Sequence, residues 1–337
     1  MNIIAPNIKN GGGKELLEYL LEHLDQMYKE IMVTVYIDKS LSYIQNTKNR
    51  KVIVLESAFE KISLFMKKID NALYFGNLPP LLKSKNSVVY FHNLYLLMNL
   101  KTLSASSLKF FIKYFLQQIY IKKFVSNVDI VACQNNFIKN KFVKKYNFQN
   151  VEILPFFRLC DKKKYDFKDK KYDFCYISLA HPHKNHFLLL DALELLSKKQ
   201  IKVRIALTIE SDKQDLIDKI TKINSYGVVK IDNLGVLSKD CVCKVYSESK
   251  CLVFPSTEET FGLGLIEATY MNLDVIAADL KYVYQAVEPS MVFNPYSARM
   301  CADIMEKYLK GTSKESVPLV KNNIDKLINK VCNYVQK

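Results

Sequence analysis

The chain has 337 residues, room for two domains at roughly 100–200 residues each. Hydrophobic residues make up 49% and charged residues 25%. That balance excludes a disordered chain and a fibrous repeat, and no run of about 18 apolar residues offers a bilayer span. The formal net charge of +15 at pH 7 is unevenly spread: residues 1–160 hold 22 Lys and Arg against 11 Asp and Glu, and residues 161–337 hold 27 against 23. The first half is therefore expected to face an anionic partner, whether nucleic acid, a phospholipid surface or a phosphorylated substrate.

Short β-rich runs alternate with helical patterns along the first half. Residues 3–7, 31–37, 51–56, 72–76, 87–92, 128–134 and 151–157 read as strands, and Leu16, Leu17, Leu20, Leu21 and Leu24 keep helical spacing between the first two. Near-continuous apolar strands separated by helices imply a parallel sheet covered on both faces. Residues 161–171 hold six Lys and three Asp, which predicts a solvated linker between domains. The alternation then restarts, with strands at 172–179, 202–209, 228–235, 251–256 and 274–278 and helices at 185–199, 212–223, 238–249 and 263–272. A long helix is predicted over 317–336. The expected organisation is a first domain at 1–160, a linker at 161–171, a second domain at 172–316 and a C-terminal helical segment at 317–337.

The opening MNIIAPNIKN lacks the cationic end and apolar block of a secretory signal, so the expected setting is the cytosol. Eight scattered cysteines, most of them inside apolar runs, then read as free thiols acting as small hydrophobes. Cys241 and Cys243 form a CxC, but no second pair stands at zinc-ligand spacing, so no metal site is expected.

Five of the chain's nine glycines fall in two concentrations where chemistry is expected. Gly11, Gly12 and Gly13 follow the first strand and precede an amphipathic helix, a turn that either brings backbone amides to an anion or sugar or serves only as a tight turn. It is neither a GxGxxG nor a P-loop. A second concentration, PSTEETFGLGLIEA (255–268), joins a strand to a helix at a strand's carboxyl end, where open α/β sheets bind ligands. Glu259 and Glu267 are spaced to meet the two ends of a polyhydroxylated ligand; otherwise they are a solvated loop and a helix-surface charge. The third cluster, SLAHPHKNHFLLL (178–190), sets Lys184 at a helix start, where it suits a diphosphate. Pro182 breaks any zinc geometry for His181, His183 and His186. Residues 108–125 combine Lys109, Lys113, Lys122 and Lys123 with six aromatics, which fits either a helix on a lipid headgroup layer or a core helix with a cationic edge. No zinc, RNP or helix-turn-helix signature supports a nucleic-acid partner.

In these segments the sequence resembles the family-4 retaining glycosyltransferases. The stretch Glu259-Thr260-Phe261-Gly262-Leu263 followed by Glu267 matches the family's E-G-F-G-L-x-x-x-E, and five further segments occur in the family's order: 10–21, 129–146, 181–193, 233–249 and 275–287. The resemblance implies an α/β GT-B fold, two doubly wound Rossmann-like domains facing across a cleft with the C-terminal helix returning to the first. It implies that Glu267 holds the ribose of a nucleotide and Glu259 the hydroxyls of the donor sugar. Lys184 would meet the diphosphate, the backbone at Phe261, Gly262 and Leu263 would approach sugar and phosphate, and Gly12 and Gly13 would close the donor pocket. His92 falls where the family places a polar residue near the transferred sugar.

The implied activity is retaining, metal-independent transfer from a nucleotide-sugar to a glycan, lipid-diphosphate-linked in an envelope polysaccharide such as O-antigen or capsule. The enzyme would work in the cytoplasm on the inner face of an anionic membrane, without a cofactor; no DxD motif is present to hold a metal–diphosphate. An epimerase of the same fold and a non-catalytic scaffold are the alternatives. Three departures stand out: Ser178-Leu179 replaces the family's Gly-Arg, which leaves a different donor geometry, a weaker enzyme or a substitute cation such as His181 or Arg158; Asn135 replaces a Thr or Ser; and Thr260 replaces a Gly, which is tolerable at negative φ.

Overall fold

The computed structural model describes the chain apart from residues 10, 105–106, 162–163, 166–169, 312–313 and 333–337. It divides into two compact units: Met1–Arg158 with Lys321–Lys337, and Leu159–Val320.

The first unit runs β1 (Asn2–Ala5), α1 (Gly11–Met27), β2 (Val33–Asp38), β3 (Arg50–Leu55), α2 (Ala58–Phe65), β4 (Ala72–Phe75), β5 (Ser87–Phe91), α3 (Leu100–Ser104), α4 (Leu108–Phe124), β6 (Ile130–Cys133), α5 (Asn136–Tyr146) and β7 (Val151–Ile153). Its strands form one parallel sheet in the order β3-β2-β1-β4-β5-β6-β7. β5 is buried along its whole length, as strands covered on both faces must be. The five periodic leucines of α1 lie against one face with Ile3, Val35, Ile37 and Phe75.

The second unit contains β8 (Tyr172–Tyr176), α6 (His186–Lys198), β9 (Val203–Leu207), α7 (Gln214–Ser225), β10 (Val229–Asn233), α8 (Lys239–Ser247), β11 (Ser249–Phe254), α9 (Leu263–Tyr270), β12 (Asp274–Ala278), α10 (Val283–Ala286), β13 (Val287–Glu288), β14 (Met291–Phe293), α11 (Ala298–Leu309) and β15 (Val317–Pro318). Its parallel sheet runs β10-β9-β8-β11-β12-β14. The sequence pattern predicts no element between 279 and 316, where the structure adds α10, β13, β14 and, last, α11. The latter packs on α6, with Lys199 reaching Asp303 at 2.6 Å and Glu306 at 2.8 Å.

The C-terminal helix α12 (Ile324–Cys332) belongs to the first unit, as the resemblance implied. It buries Ile324, Leu327, Ile328 and Val331 in the cluster that holds the α1 leucines, and Asp325 accepts from Tyr28 Oη at 2.9 Å and meets His23 Nε2 at 2.7 Å. The helix is shorter than the 317–336 expected. Val317 and Pro318 instead pair with β13, and the predicted helix end, 333–336, lies outside the described residues.

Much of the 161–171 stretch lies outside the described residues, but its far end is tied to the second unit: Lys171 N donates to Glu248 O at 2.8 Å and Lys170 Nζ to Ser247 O at 2.7 Å. The thiols are not all free either. Cys160 and Cys243 form a disulfide across 83 residues, while Cys241 is exposed and Cys133, Cys175, Cys251 and Cys301 are buried. Spacing gave no hint of this pair, because folding alone brings the start of the second unit against α8. A closed loop of this length contributes as much as about 4 kcal/mol by restricting the unfolded chain. Dithiothreitol should therefore lower the melting temperature, and Cys160→Ser should melt at the lower temperature with or without it; identical melting of the oxidised wild type and the variant would show that the bridge adds no stability.

Candidate functional site

β8 and β11 are parallel neighbours, with Cys251 opposite Phe174 and Leu252 opposite Cys175. Their outgoing loops, 177–185 and 255–262, therefore leave the same carboxyl end of the sheet. Backbone bonds join them. The His183 carbonyl accepts from Thr257 N at 2.8 Å and from Ser256 Oγ at 3.1 Å. Asn185, held at φ 58°, sends its amide to the carbonyls of Pro255 (3.2 Å) and Pro295 (2.9 Å). Tyr176 Oη donates to Lys184 O at 2.8 Å, and Tyr282 Oη to Ser256 O at 2.7 Å.

This lacing sets Lys184 Nζ 2.5 Å from Glu259 Oε1, with the two side chains only 19% and 13% exposed. Eight residues on, Glu267 stands in the second turn of α9, buried, and its carboxylate pairs with Lys239, the first residue of α8. Each of the two predicted carboxylates thus has its own lysine. An ammonium there can meet phosphate oxygens, and a carboxylate can accept from hydroxyls.

Gly262 caps α9 at φ 71°, where a side chain would be strained and would bring Cβ within 3.0 Å of Leu265 Cδ1. Thr260 is not among the residues of positive φ, so its replacement of glycine carries no backbone penalty. Phe261 is buried and Leu263 opens α9. Leu179 is 44% exposed. Of the substitute cations, Arg158 belongs to the first unit, where it meets Glu22 at 2.6 Å and lies over the Tyr19 ring. The His181 and His183 rings stack at 5.8 Å, and burial, then the Lys184 charge, hold His183 below the usual histidine range. His186 packs its ring 4.8 Å from that of Tyr176, and burial pushes its pKa down to about 4.

The remaining predicted residues lie in the first unit. α1 begins at Gly11; a Cβ on Gly12 would meet nothing within 4 Å, whereas one on Gly13 would lie 3.2 Å from Ile8 and 3.3 Å from His92 Nε2. Gly13 is therefore the position that close packing fixes. His92 follows β5, its N–H donating to Asn77 Oδ1 at 2.8 Å, and burial keeps its ring neutral, with a pKa of about 4. Gly13 and His92 line a cavity of about 450 Å³ at the carboxyl ends of β1, β4 and β5. Asn135 caps α5, accepting from Ile138 N at 2.9 Å, as a Ser or Thr would.

Sequence reading missed Lys239 and Tyr282. Lys239 follows the N-cap Ser238 inside one of the quoted segments, but a separation of 28 residues from Glu267 leaves no local pattern to join them. Only the folding of α8 and α9 about β11 does so.

Two Rossmann-like α/β units, with a carboxylate-bearing loop and helix at the sheet end of the second, define the GT-B class of glycosyltransferase fold. The chain belongs to the glycosyl transferases of group 1, whose family model matches residues 158–325. It is 24% identical over 198 residues to the O-antigen chain mannosyltransferase RfbU of Salmonella typhimurium, a match covering 54% of this chain and 52% of that protein. With the serotype-specific mannosyltransferase WbdA of Escherichia coli it shares 27% identity over 138 residues, 40% of this chain and 17% of the other. The chain thus spans about half of the first relative and a small part of the second. Among solved structures, HepE of Anabaena, in complex with UDP and glucose, superposes with a TM-score of 0.61 at 14% identity, over 99% of this chain and 94% of that one. Sucrose-phosphate synthase of Thermosynechococcus elongatus gives 0.65 at 15%, over 98% and 94%.

His186 makes stability depend on pH. Its folded pKa lies below its unfolded value near 6.5, so its contribution is present above pH 6.5 and lost as pH falls toward 4. Between pH 7 and 5 the loss should be about 2 kcal/mol. Urea titrations at the two pH values should show the loss shrinking by that amount in His186→Phe; an unchanged loss would clear His186 of it.

Proposed function

We propose that the protein is a retaining glycosyltransferase that moves a sugar from a nucleotide-diphosphate donor to a glycan acceptor of an envelope polysaccharide. The observation that carries this reading is the pair of lysine–carboxylate contacts in the family-matched region, Lys184–Glu259 on the loops at the sheet end and Lys239–Glu267 on the helices α8 and α9. Glu267 accepts from the ribose hydroxyls and Glu259 from the donor sugar. Lys184 meets the diphosphate, with the amides at Gly262 and Leu263 nearby. Negative charge grows on the leaving diphosphate as an oxocarbenium-like state forms, so a fixed ammonium stabilises the transition state more than the ground state. The leaving phosphate takes the acceptor's proton, which requires no separate protein base. Mannosyl donors are the first to test, because the RfbU and WbdA relatives are named mannosyltransferases.

The acceptor reading is a lipid-diphosphate-linked glycan at an anionic membrane surface, and α4 supports it. Leu108 (74% exposed), Ile112, Leu116 (58%) and Ile119 form an exposed apolar stripe at helical spacing, while Tyr114, Gln118 and Ile121 face the unit. Exposed Lys109, Lys122 and Lys123 flank the stripe, which favours the headgroup reading over the core-helix one. No helix among the described residues is long and apolar enough to cross a membrane.

Release of nucleoside diphosphate from GDP-mannose or UDP-glucose, with acceptor glycan present, tests the transfer. Lys184→Ala should lower kcat by about 3 kcal/mol of lost stabilisation, and Glu267→Ala should chiefly raise the donor KM. A wild-type protein that binds nucleotide and releases none would be a scaffold. For the membrane, Lys109→Gln/Lys122→Gln/Lys123→Gln should weaken binding to phosphatidylglycerol vesicles roughly a hundredfold, at about 1 kcal/mol per lysine. Equal sedimentation of variant and wild type with these vesicles would remove α4 from the contact.

A further inference from the structure

Lys239 stands on the least buried turn of α8. The buried residues of this helix are Cys243, Val245, Tyr246 and Ser247, none of them before Cys243. In the first turn Ser238 Oγ accepts from Cys241 N at 3.4 Å, and Lys239 meets Glu267. Lys164 Nζ lies 3.2 Å from Asp240, but those side chains are 56% and 74% exposed, and a pair so open to solvent contributes little. Cys243 is thus the first residue at which α8 enters the interior, and there it is bonded to Cys160. Both cysteines belong to the second unit. Lys239 and Cys243 are four residues apart, so their side chains share one face of the helix. The bridge fixes the same face that presents Lys239 to the buried carboxylate of Glu267.

The bond is within reach of a small thiol. Cys160 is half-buried between the exposed Leu159 and Asp161, whereas Cys243 is buried. The thiolate of a dithiol reductant attacks Cys160 Sγ, forming a mixed disulfide and expelling the Cys243 thiolate. The reductant's second thiol then closes its own disulfide and expels the Cys160 thiolate. Both protein thiolates take up the protons that the reductant gives up, so the dithiol is oxidised by two electrons and the bridge reduced by two. We propose that the Cys160–Cys243 bond is a thiol-responsive brace on the nucleotide site: closed, it keeps α8 where Lys239 orients Glu267, and opened by a dithiol, it frees the first turn and weakens nucleotide binding. Lys239 is then a positioning residue that acts through Glu267. The proposal rests on the reading of Glu267 as the carboxylate that meets the nucleotide, and adds a control to that site.

The test is titration calorimetry of UDP and GDP on the full chain, oxidised or reduced with dithiothreitol, at a temperature where circular dichroism shows both forms folded. Reduction should weaken the tighter-binding nucleotide about threefold or more. Cys160→Ser should bind at the reduced level with or without dithiothreitol. Cys241→Ser, which leaves the bridge intact, should respond to the reductant as wild type does. Lys239→Met should weaken binding at least as much and abolish the response, and Lys239→Arg should restore both. In turnover, reduction should raise the donor KM and leave kcat within about twofold, a split that general loosening of the fold would not give. Equal affinity in the two redox states, or a response that persists in Lys239→Met, would overturn the proposal. So would a fall in kcat at unchanged KM. If wild type binds neither nucleotide, or Glu267→Ala binds as tightly as wild type, the nucleotide reading falls first and the brace with it. If Glu267→Ala binds weakly while reduction changes nothing, the brace alone falls.

Discussion

Two carboxylates held out of water on a single loop-and-helix connection need counter-charges close by, and the second unit is arranged around supplying them. Lys184 comes from the turn after β8, which neighbours β11 in the sheet but not in sequence, and Lys239 from the start of α8, the helix that leads into β11. Taking either carboxylate out of water unpaired would cost several kcal/mol. The bonds from Thr257, Ser256 and Asn185 that join the two loops hold the Lys184 backbone against that connection. Charges pre-set in this way need little reorganisation of the surrounding dipoles when a polar ligand arrives.

The first unit solves a different problem with the same kind of sheet. Its excess of lysines is not spread evenly, for α4 alone carries four with no acidic residue. That helix is only half committed to the fold. Tyr114, Gln118 and Ile121 fasten it, the last two turns end in Lys122 and Lys123, and the outer stripe is left apolar. A stripe of this kind on an otherwise charged surface is unfavourable in water and becomes favourable against a layer that is apolar within and anionic at its face.

The return of α12 to the first unit ties the chain's two ends together. Its apolar face completes the cluster that the α1 leucines begin, and Asp325 bridges to His23 and Tyr28 on and just after α1. Further on-unit contacts run from Asn322 to Tyr19 Oη at 3.1 Å and to Phe157 O at 2.7 Å. The short β13–β15 pair fixes the preceding segment to the second unit, so the crossing point falls between Val320 and Lys321.

By itself the sequence determined the parallel α/β character of both units, because strand runs such as SVVYF and CLVF are apolar on both faces and the intervening leucines keep a 3.6-residue period. It also located Lys184, Glu259, Gly262 and Glu267, since loops at strand carboxyl ends with glycine and carboxylate are local patterns. Only the tertiary structure decided the rest. Cys160 meets Cys243 and Lys239 meets Glu267 through strand order, which no spacing along the chain encodes. Whether α4 was core or surface depended on how much of its circumference its neighbours cover, and the composition of the helix is compatible with both. The tie of Lys170 and Lys171 to the second unit and the late start of the last helix followed the same logic: bonds to Ser247, Glu248 and Val287–Glu288 fix where the chain goes.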